Sequence, residues 1–257
     1  MIDFSRLQAA LADGRTTFAS ATPYPHIAID DACDGMRLRA ALNPIAQRLQ
    51  QEMAASGDLI FARNKFVDTQ FEAIAPELAE LRQDLLSPEF AAWLGELVGE
   101  PLFLDPQFYG GGLHAGGEGS FLDMHTDFSY HPQQLTWKRQ LNILLYLNVD
   151  WDEHYGGQLL MQHVDRESEE PVRVAPVFNR LVIMESSGVT LHGYDPIAFP
   201  AGSHRLSIAS YAYREEQQRS EDVRSTVWYP RSGGVVKRSV GQLLPRAIQF
   251  LRSLRRR

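Results

Sequence analysis

Cysteine is nearly missing from this 257-residue chain, and Cys33 is its single thiol. One thiol makes no internal disulfide, which fits a reducing cytoplasm, and it excludes a thiolate-rich zinc or iron–sulfur site. No run of about 18 apolar residues occurs, so no membrane-spanning helix is expected. The stretch from Met1 to Arg6 lacks a basic region followed by an apolar segment, so no signal peptide is expected. Internal repeats and low-complexity tracts are absent. Glycines gather between Gly110 and Gly119, but no Gly-Lys-Ser/Thr follows to close a phosphate loop. They read instead as tight turns and places of close backbone approach. Acidic residues stop at Asp222. The nine Lys and Arg beyond it, set against a whole-chain net charge of −7, leave −16 on residues 1–222. So acidic a body is a poor partner for nucleic acid, whose binding rests on phosphate contacts.

What is present suits one large domain, with 44% hydrophobic and 22% charged residues. Residues 1–105 read as a mainly helical support. Tyr24–Asp31 forms a short strand and turn, and Arg37–Ala54 has the three- and four-residue apolar spacing of a helix despite Pro44. Further helices are expected over Pro76–Leu86, with proline in its first turn, and over Pro88–Val98, with Ser87 as N-cap. From Gln107 the texture changes to short apolar runs bounded by turn residues. Strands are expected at Ser120–Met124, Leu141–Leu147, Gly157–Gln162, Arg180–Glu185, Val189–Gly193 and Arg205–Tyr213. That spacing points to a sandwich or barrel over residues 106–230 rather than to alternating βαβ units.

Residues 231–257 form a basic tail in which Val240, Leu243, Leu244, Ala247, Ile248, Leu251 and Leu254 can share a helical stripe. Such a helix either docks on the acidic body or touches an anionic surface or a protein partner.

The chemistry begins at Met124-His125-Thr126-Asp127. Residues two apart on an extended strand point the same way, so His125 and Asp127 can grip one ion. Two histidines and one carboxylate that leave positions open suit iron(II). Of the eight histidines, His192 follows an apolar strand and a glycine turn, where a jelly roll brings a strand back across the first. Thirteen residues later, Arg205 opens a strand with Ser207 on its own face. A guanidinium fork and a nearby hydroxyl suit a carboxylate, such as the distal one of 2-oxoglutarate. In RQLNILLYLN, Asn142, Leu144 and Tyr146 alternate with Ile143, Leu145 and Leu147. A buried amide and phenol need polar partners, which a bound dicarboxylate would offer. Arg139 and His131 are candidates for contact with the substrate. Blander roles remain open: a surface pair for His125 and Asp127, an ordinary ion pair for Arg205, backbone partners for Asn142 and Tyr146.

Taken together, YPHIAIDD, GGGLH, GSFLDMHTDFSYHP, RQLNILLYLNVDW, YGGQLLM, FNRLVIMESS, LHGY and AGSHRLSIASYAYRE resemble the prolyl 4-hydroxylase-like branch of the iron(II)/2-oxoglutarate-dependent dioxygenases. The resemblance spans nearly the whole chain. It implies a double-stranded β-helix (jelly roll) with flanking helices, and iron(II) on His125, Asp127 and His192. It further implies 2-oxoglutarate against Arg205 and Tyr146, with Asn142 and His114 near it, and ascorbate as a possible reductant. The implied reaction hydroxylates an unactivated C–H bond with dioxygen and releases succinate and carbon dioxide. Peptidyl proline, a free amino acid and a biosynthetic intermediate are all open as substrates. The alternative is a metal-binding jelly roll without oxidative chemistry, an isomerase or a sensor; Arg205 and Ser207 argue against it.

Overall fold

Helices gather on the N-terminal side, and three of them are begun by a side chain, that of Asp3, Asp34 or Ser87, which accepts from amides the helix leaves unpaired. The computed structural model describes residues 1–52, 61–218, 223–231, 237 and 239–242. Helix α1 (Phe4–Ser20) starts from Asp3, whose carboxylate accepts from the Arg6 N–H. It buries only Leu7, Leu11, Gly14 and Phe18, a stripe too sparse to stand out in the sequence. The helix expected over Arg37–Ala54 is two, α2 (Gly35–Ala40) and α3 (Leu42–Glu52). Pro44 is the reason: it has no N–H for the Ala40 carbonyl and its ring crowds that carbonyl, so the chain breaks at Ala41. Residues 53 and 54 of that expectation lie outside the described residues. Helix α4 (Pro76–Leu85) carries proline in its first turn. Helix α5 (Pro88–Val98) starts where Ser87 accepts from the Phe90 N–H and ends at Gly99 in a left-handed conformation. None of the helices among the described residues is long and apolar enough to cross a membrane.

The strands are β1 (His26–Ile29), β2 (Ala62–Asp68), β3 (Phe103–Leu104), β4 (Gly112–Thr126), β5 (Trp137–Tyr146) and β6 (Leu159–His163). They continue with β7 (Val172–Val174), β8 (Leu181–Glu185), β9 (Thr190–Tyr194), β10 (Arg205–Glu215) and β11 (Val227–Trp228). Their order is β1-β8-β5-β10-β4-β9-β6-β7, with β2 and β11 on β4 and β3 on β10. The long β4 belongs to both halves: its start pairs with β10 and β2, its end with β9 and β11. The chain thus curls one antiparallel sheet of eleven strands into a jelly roll. From Gly112 on, the glycine-rich stretch is part of β4, and it does bring backbones close. Gly112, at φ +95°, lies so near Asp68 that a Cβ would sit 2.1 Å from its carbonyl oxygen. β1, β2 and β3 come from the first 105 residues, which therefore extend the sheet as well as supporting it.

Alternation along β5 separates core from cavity. Ile143 and Leu145 pack with Ile183 and Ile208 against Leu7, Leu38, Phe90 and Leu94 of the helices. Each such buried side chain contributes roughly 1.5–3 kcal/mol relative to exposure. Asn142, Leu144 and Tyr146 face the inside of the roll.

Beyond Gln242 the basic tail lies outside the described residues. Its Lys237 reaches back to the body, Nζ standing 2.6 Å from Asp123 Oδ2. Burial raises the Asp123 carboxyl pKa, and Lys237 opposes that rise. Truncation after Gly234 is expected to lower the melting temperature by roughly 3–6 °C through loss of this charged hydrogen bond. Metal binding should survive, which calorimetry with and without metal would check; an unchanged melting temperature would mean that the Lys237 contact is idle.

Candidate active site

His125 and Asp127 stand at and just past the end of β4, and His192 on β9 is directly opposite His125 in the ladder. Directly opposed residues share a face, so all three side chains converge. The two imidazole centroids are 4.3 Å apart. Asp127 Oδ1 lies 3.6 Å from His125 Nε2, and Asp127 Oδ2 lies 3.6 Å from His192 Nε2. Two atoms that share one ion at about 2.0–2.2 Å each stand roughly 3–4 Å apart, the spacing of Asp127 Oδ1 and His125 Nε2 here, and one ligand atom from each of the three residues lies within 4.8 Å of the others. The His125 ring donates from Nδ1 to the Asp123 carbonyl at 2.9 Å, which leaves the Nε2 lone pair turned to the cluster. Burial, reinforced by His125, pushes His192 down to about 3, so it is neutral and able to ligate. The donor set fits iron(II).

Burial by itself would raise the Asp127 carboxyl pKa, but the Arg139 guanidinium, with His125 and His192, holds it well below the usual range. Arg139 Nη1 stands 2.8 Å from Asp127 Oδ2, and Asn142 Nδ2 donates to the same oxygen at 2.7 Å. Simple alternation would send Arg139 to the helix side, with Ile143. A bulge corrects it: Leu141 faces Ala212 while Arg139 faces Tyr213, so Gln140 is the extra residue. Arg139 is thereby turned inward, its guanidinium between the rings of Phe128 and Tyr211 at 3.8 and 3.7 Å.

The cluster opens into a cavity of about 240 Å³, lined also by Lys65, His114, Asn142, Ser207, Tyr194 and Trp228. Arg205 lies at its far side, 7% exposed. It donates from Nε to the Gly157 carbonyl at 2.7 Å and from Nη2 to the Tyr146 hydroxyl at 3.3 Å. The Tyr194 ring stacks beneath it at 4.2 Å. Among the described residues no carboxylate lies within ion-pair distance of this buried guanidinium. Ser207 sits opposite His114 across β10 and β4. His114 Nε2 is buried without a partner among the described residues. Burial, then Lys65, keep that imidazole well below its usual pKa, hence neutral.

The cavity thus brings together seven of the residues picked from sequence: the triad, Asn142, His114, Arg205 and Ser207. Tyr146 touches it through Arg205. Two candidates are placed elsewhere. Arg139 is no substrate-mouth residue, because its charge is committed to Asp127 and it is 2% exposed. His131 is 1% exposed, 3.3 Å from Asp105 Oδ2 and enclosed by Tyr109, Trp137 and Tyr213. Its Nδ1 accepts from the Gln133 and Gln134 amides, so it braces a turn. Sequence reasoning missed Lys65 and Trp228, whose ring packs 4.7 Å from His125. Both arrive on strands outside the main order, β2 and β11, and only pairing with β4 brings them in.

Residues 111–213 match the family model of the 2OG-Fe(II) oxygenase superfamily. A search of curated protein sequences finds no match. Among solved structures, a prolyl 4-hydroxylase from Phytophthora capsici is 22% identical with a TM-score of 0.58, covering 100% of this chain and 76% of its own. A prolyl-4-hydroxylase from Pseudomonas putida is 21% identical with a TM-score of 0.52, covering 80% of this chain and 99% of its own. The epimerase SnoN from nogalamycin biosynthesis is 16% identical with a TM-score of 0.50, covering 87% of this chain and 86% of its own. At these identities the likeness is one of fold.

The neutral His114 makes stability depend on pH. Its folded pKa is depressed below the unfolded value near 6.5. Stability is therefore full above that pH and is lost as pH falls and the unfolded chain takes up a proton. In metal-free protein, His114→Gln is expected to flatten the acid-side decline by up to ~1.4 kcal/mol per pH unit. Denaturant melts between pH 7 and 5 measure it, and an unchanged slope would show that His114 titrates normally.

Proposed function

We propose that the chain is a dioxygenase of the 2OG-Fe(II) oxygenase superfamily that uses iron(II) and 2-oxoglutarate, with His125, Asp127 and His192 holding the iron and Arg205 binding the co-substrate. One observation carries the proposal. A His-Asp-His cluster, with His125 and Asp127 buried and His192 partly so, and a buried guanidinium with no carboxylate in ion-pair distance among the described residues open into the same cavity. When bound, the iron supplies the dioxygen chemistry that couples conversion of 2-oxoglutarate into succinate and carbon dioxide to hydroxylation of a C–H bond.

The chain's own residues bind, orient and exclude water. Arg139 and Asn142 keep Asp127 charged and occupy its Oδ2, which leaves Oδ1 free to ligate. Arg205 keeps donors free beyond those given to Gly157 and Tyr146, enough for the distal carboxylate of 2-oxoglutarate. Ser207 and the unpartnered Nε2 of His114 supply further polar contacts. Leu144, Leu159 and Met184 form an apolar wall where a C–H bond can lie out of water. A reducing compartment such as the cytoplasm suits the chain, whose only cysteine, Cys33, is buried and can form no internal disulfide.

Succinate release from labelled 2-oxoglutarate with iron(II), measured with or without added substrate, tests the assignment. Alanine at His125, Asp127 or His192 should abolish it while circular dichroism stays native. Arg205→Ala should raise the KM for 2-oxoglutarate at least about 30-fold, since stripping one partner from a buried charge pair costs roughly 2–5 kcal/mol. Arg205→Lys should recover only part, because an ammonium lacks the fork, and Tyr146→Phe should move KM less in the same direction. Full 2-oxoglutarate dependence in Arg205→Ala would remove the clamp. An absence of succinate from wild-type protein would favour a non-oxidative metal site.

A further inference from the structure

Arg205 is not the cavity's only cation without a protein carboxylate to match it, because Lys65 lines the same space. Asn64 interrupts β2 at φ +47° and donates from Nδ2 to the Glu118 carbonyl at 3.0 Å. The register then resumes with Lys65 opposite Gly116. Arg205 is opposite the same Gly116 from the other side of β4. Opposed residues share a face, so the two cations flank a position with no side chain. A Cβ there would lie 2.7 Å from Ser120 Oγ and 3.3 Å from the Tyr194 hydroxyl. The gap is kept open by glycine.

Among the described residues no carboxylate lies within ion-pair distance of Lys65. The cavity's own carboxylate, Asp127, is already matched by Arg139 at 2.8 Å. Burial, reinforced by Arg205 and opposed by Asp127, brings the Lys65 ammonium down to about 8. Among the described residues a half-buried cation in such a place has no counter-ion.

The next step rests on the assignment of the triad to iron and of Arg205 to 2-oxoglutarate. With the near carboxylate of 2-oxoglutarate at the metal and the distal one on Arg205, both its charges are matched and Lys65 is left over. We infer that Lys65 receives a carboxylate of the primary substrate, a small molecule with a free carboxylate rather than an internal peptide segment. The small cavity and its wall of Leu144, Leu159 and Met184 would take an apolar body attached to that carboxylate.

Manganese(II) in place of iron prevents turnover, and its unpaired electrons broaden the proton lines of small molecules held nearby. Propionate is titrated into wild-type protein loaded with manganese(II) and saturating 2-oxoglutarate, with the zinc(II) form as diamagnetic control. Saturable broadening by propionate is expected, with at least about tenfold weaker binding of neutral propionamide. Lys65→Met, which keeps an unbranched stem and loses the charge, should weaken propionate about tenfold or more, and Lys65→Arg should retain it. Calorimetry should give the same 2-oxoglutarate affinity in all three proteins. Equal broadening by propionate and propionamide would overturn the inference, a comparison that needs no variant to fold. So would propionate binding untouched by Lys65→Met, or a loss of 2-oxoglutarate affinity in that variant. Failure of the underlying assignment looks different: wild-type protein would not bind manganese(II), or Arg205→Ala would keep full 2-oxoglutarate affinity.

Discussion

Asp127 must stay charged in surroundings that penalise charge, and the architecture of the site follows from that requirement. A carboxylate taken out of water keeps its charge only when cations and hydrogen-bond donors compensate for the lost solvent. Arg139 does so at 2.8 Å and Asn142 at 2.7 Å, both on the same oxygen. Arg139 is itself buried, so its charge needs compensation as well, and Asp127 and the faces of Phe128 and Tyr211 supply it. The arrangement is reciprocal: each charge is tolerable because the other is fixed nearby.

The same contact has a mechanical consequence. Arg139 and Asn142 lie on β5, and Asp127 follows β4, two strands held apart by β10 in the sheet order. Their side chains bridge the inside of the roll across that gap. Four residues beyond Asn142 on β5, Tyr146 meets Arg205 on β10. The His-Asp-His cluster and the guanidinium are thus registered to each other through one strand, whose other face is packed into the helices by Ile143 and Leu145. Helix packing therefore bears on active-site geometry although no helix contributes a ligand.

Charge is distributed around the cavity with a purpose that a ligand completes. Neutral His192 and His114 offer lone pairs or a donor without adding positive charge. Arg205 and Lys65 do add it, at positions one strand to either side of Gly116. Cations with no carboxylate in ion-pair distance among the described residues, beside a cluster that could hold an ion, are costly to the empty protein and favourable to an anionic ligand. The cost falls on stability and the gain on binding.

The triad, Arg205, Ser207 and the polar face of β5 were legible in the amino-acid sequence because strand alternation is local. His125 and Asp127, Arg205 and Ser207, and Asn142 and Tyr146 are related by even spacings, which put them on common faces wherever the strands lie. Arg139 broke that rule, since a bulge at Gln140 reverses its parity and no pattern in RQLNILL announces it. Pro44 announced its helix break, yet the apolar spacing around it read as continuous. Lys65 and Trp228 had no local signal at all. Their parts depend on which edge of β4 their strands join, and pairing between segments far apart in the chain is set by the packing of the whole roll. Local periodicity determined which side chains could act together; the register of distant strands decided which charges meet them.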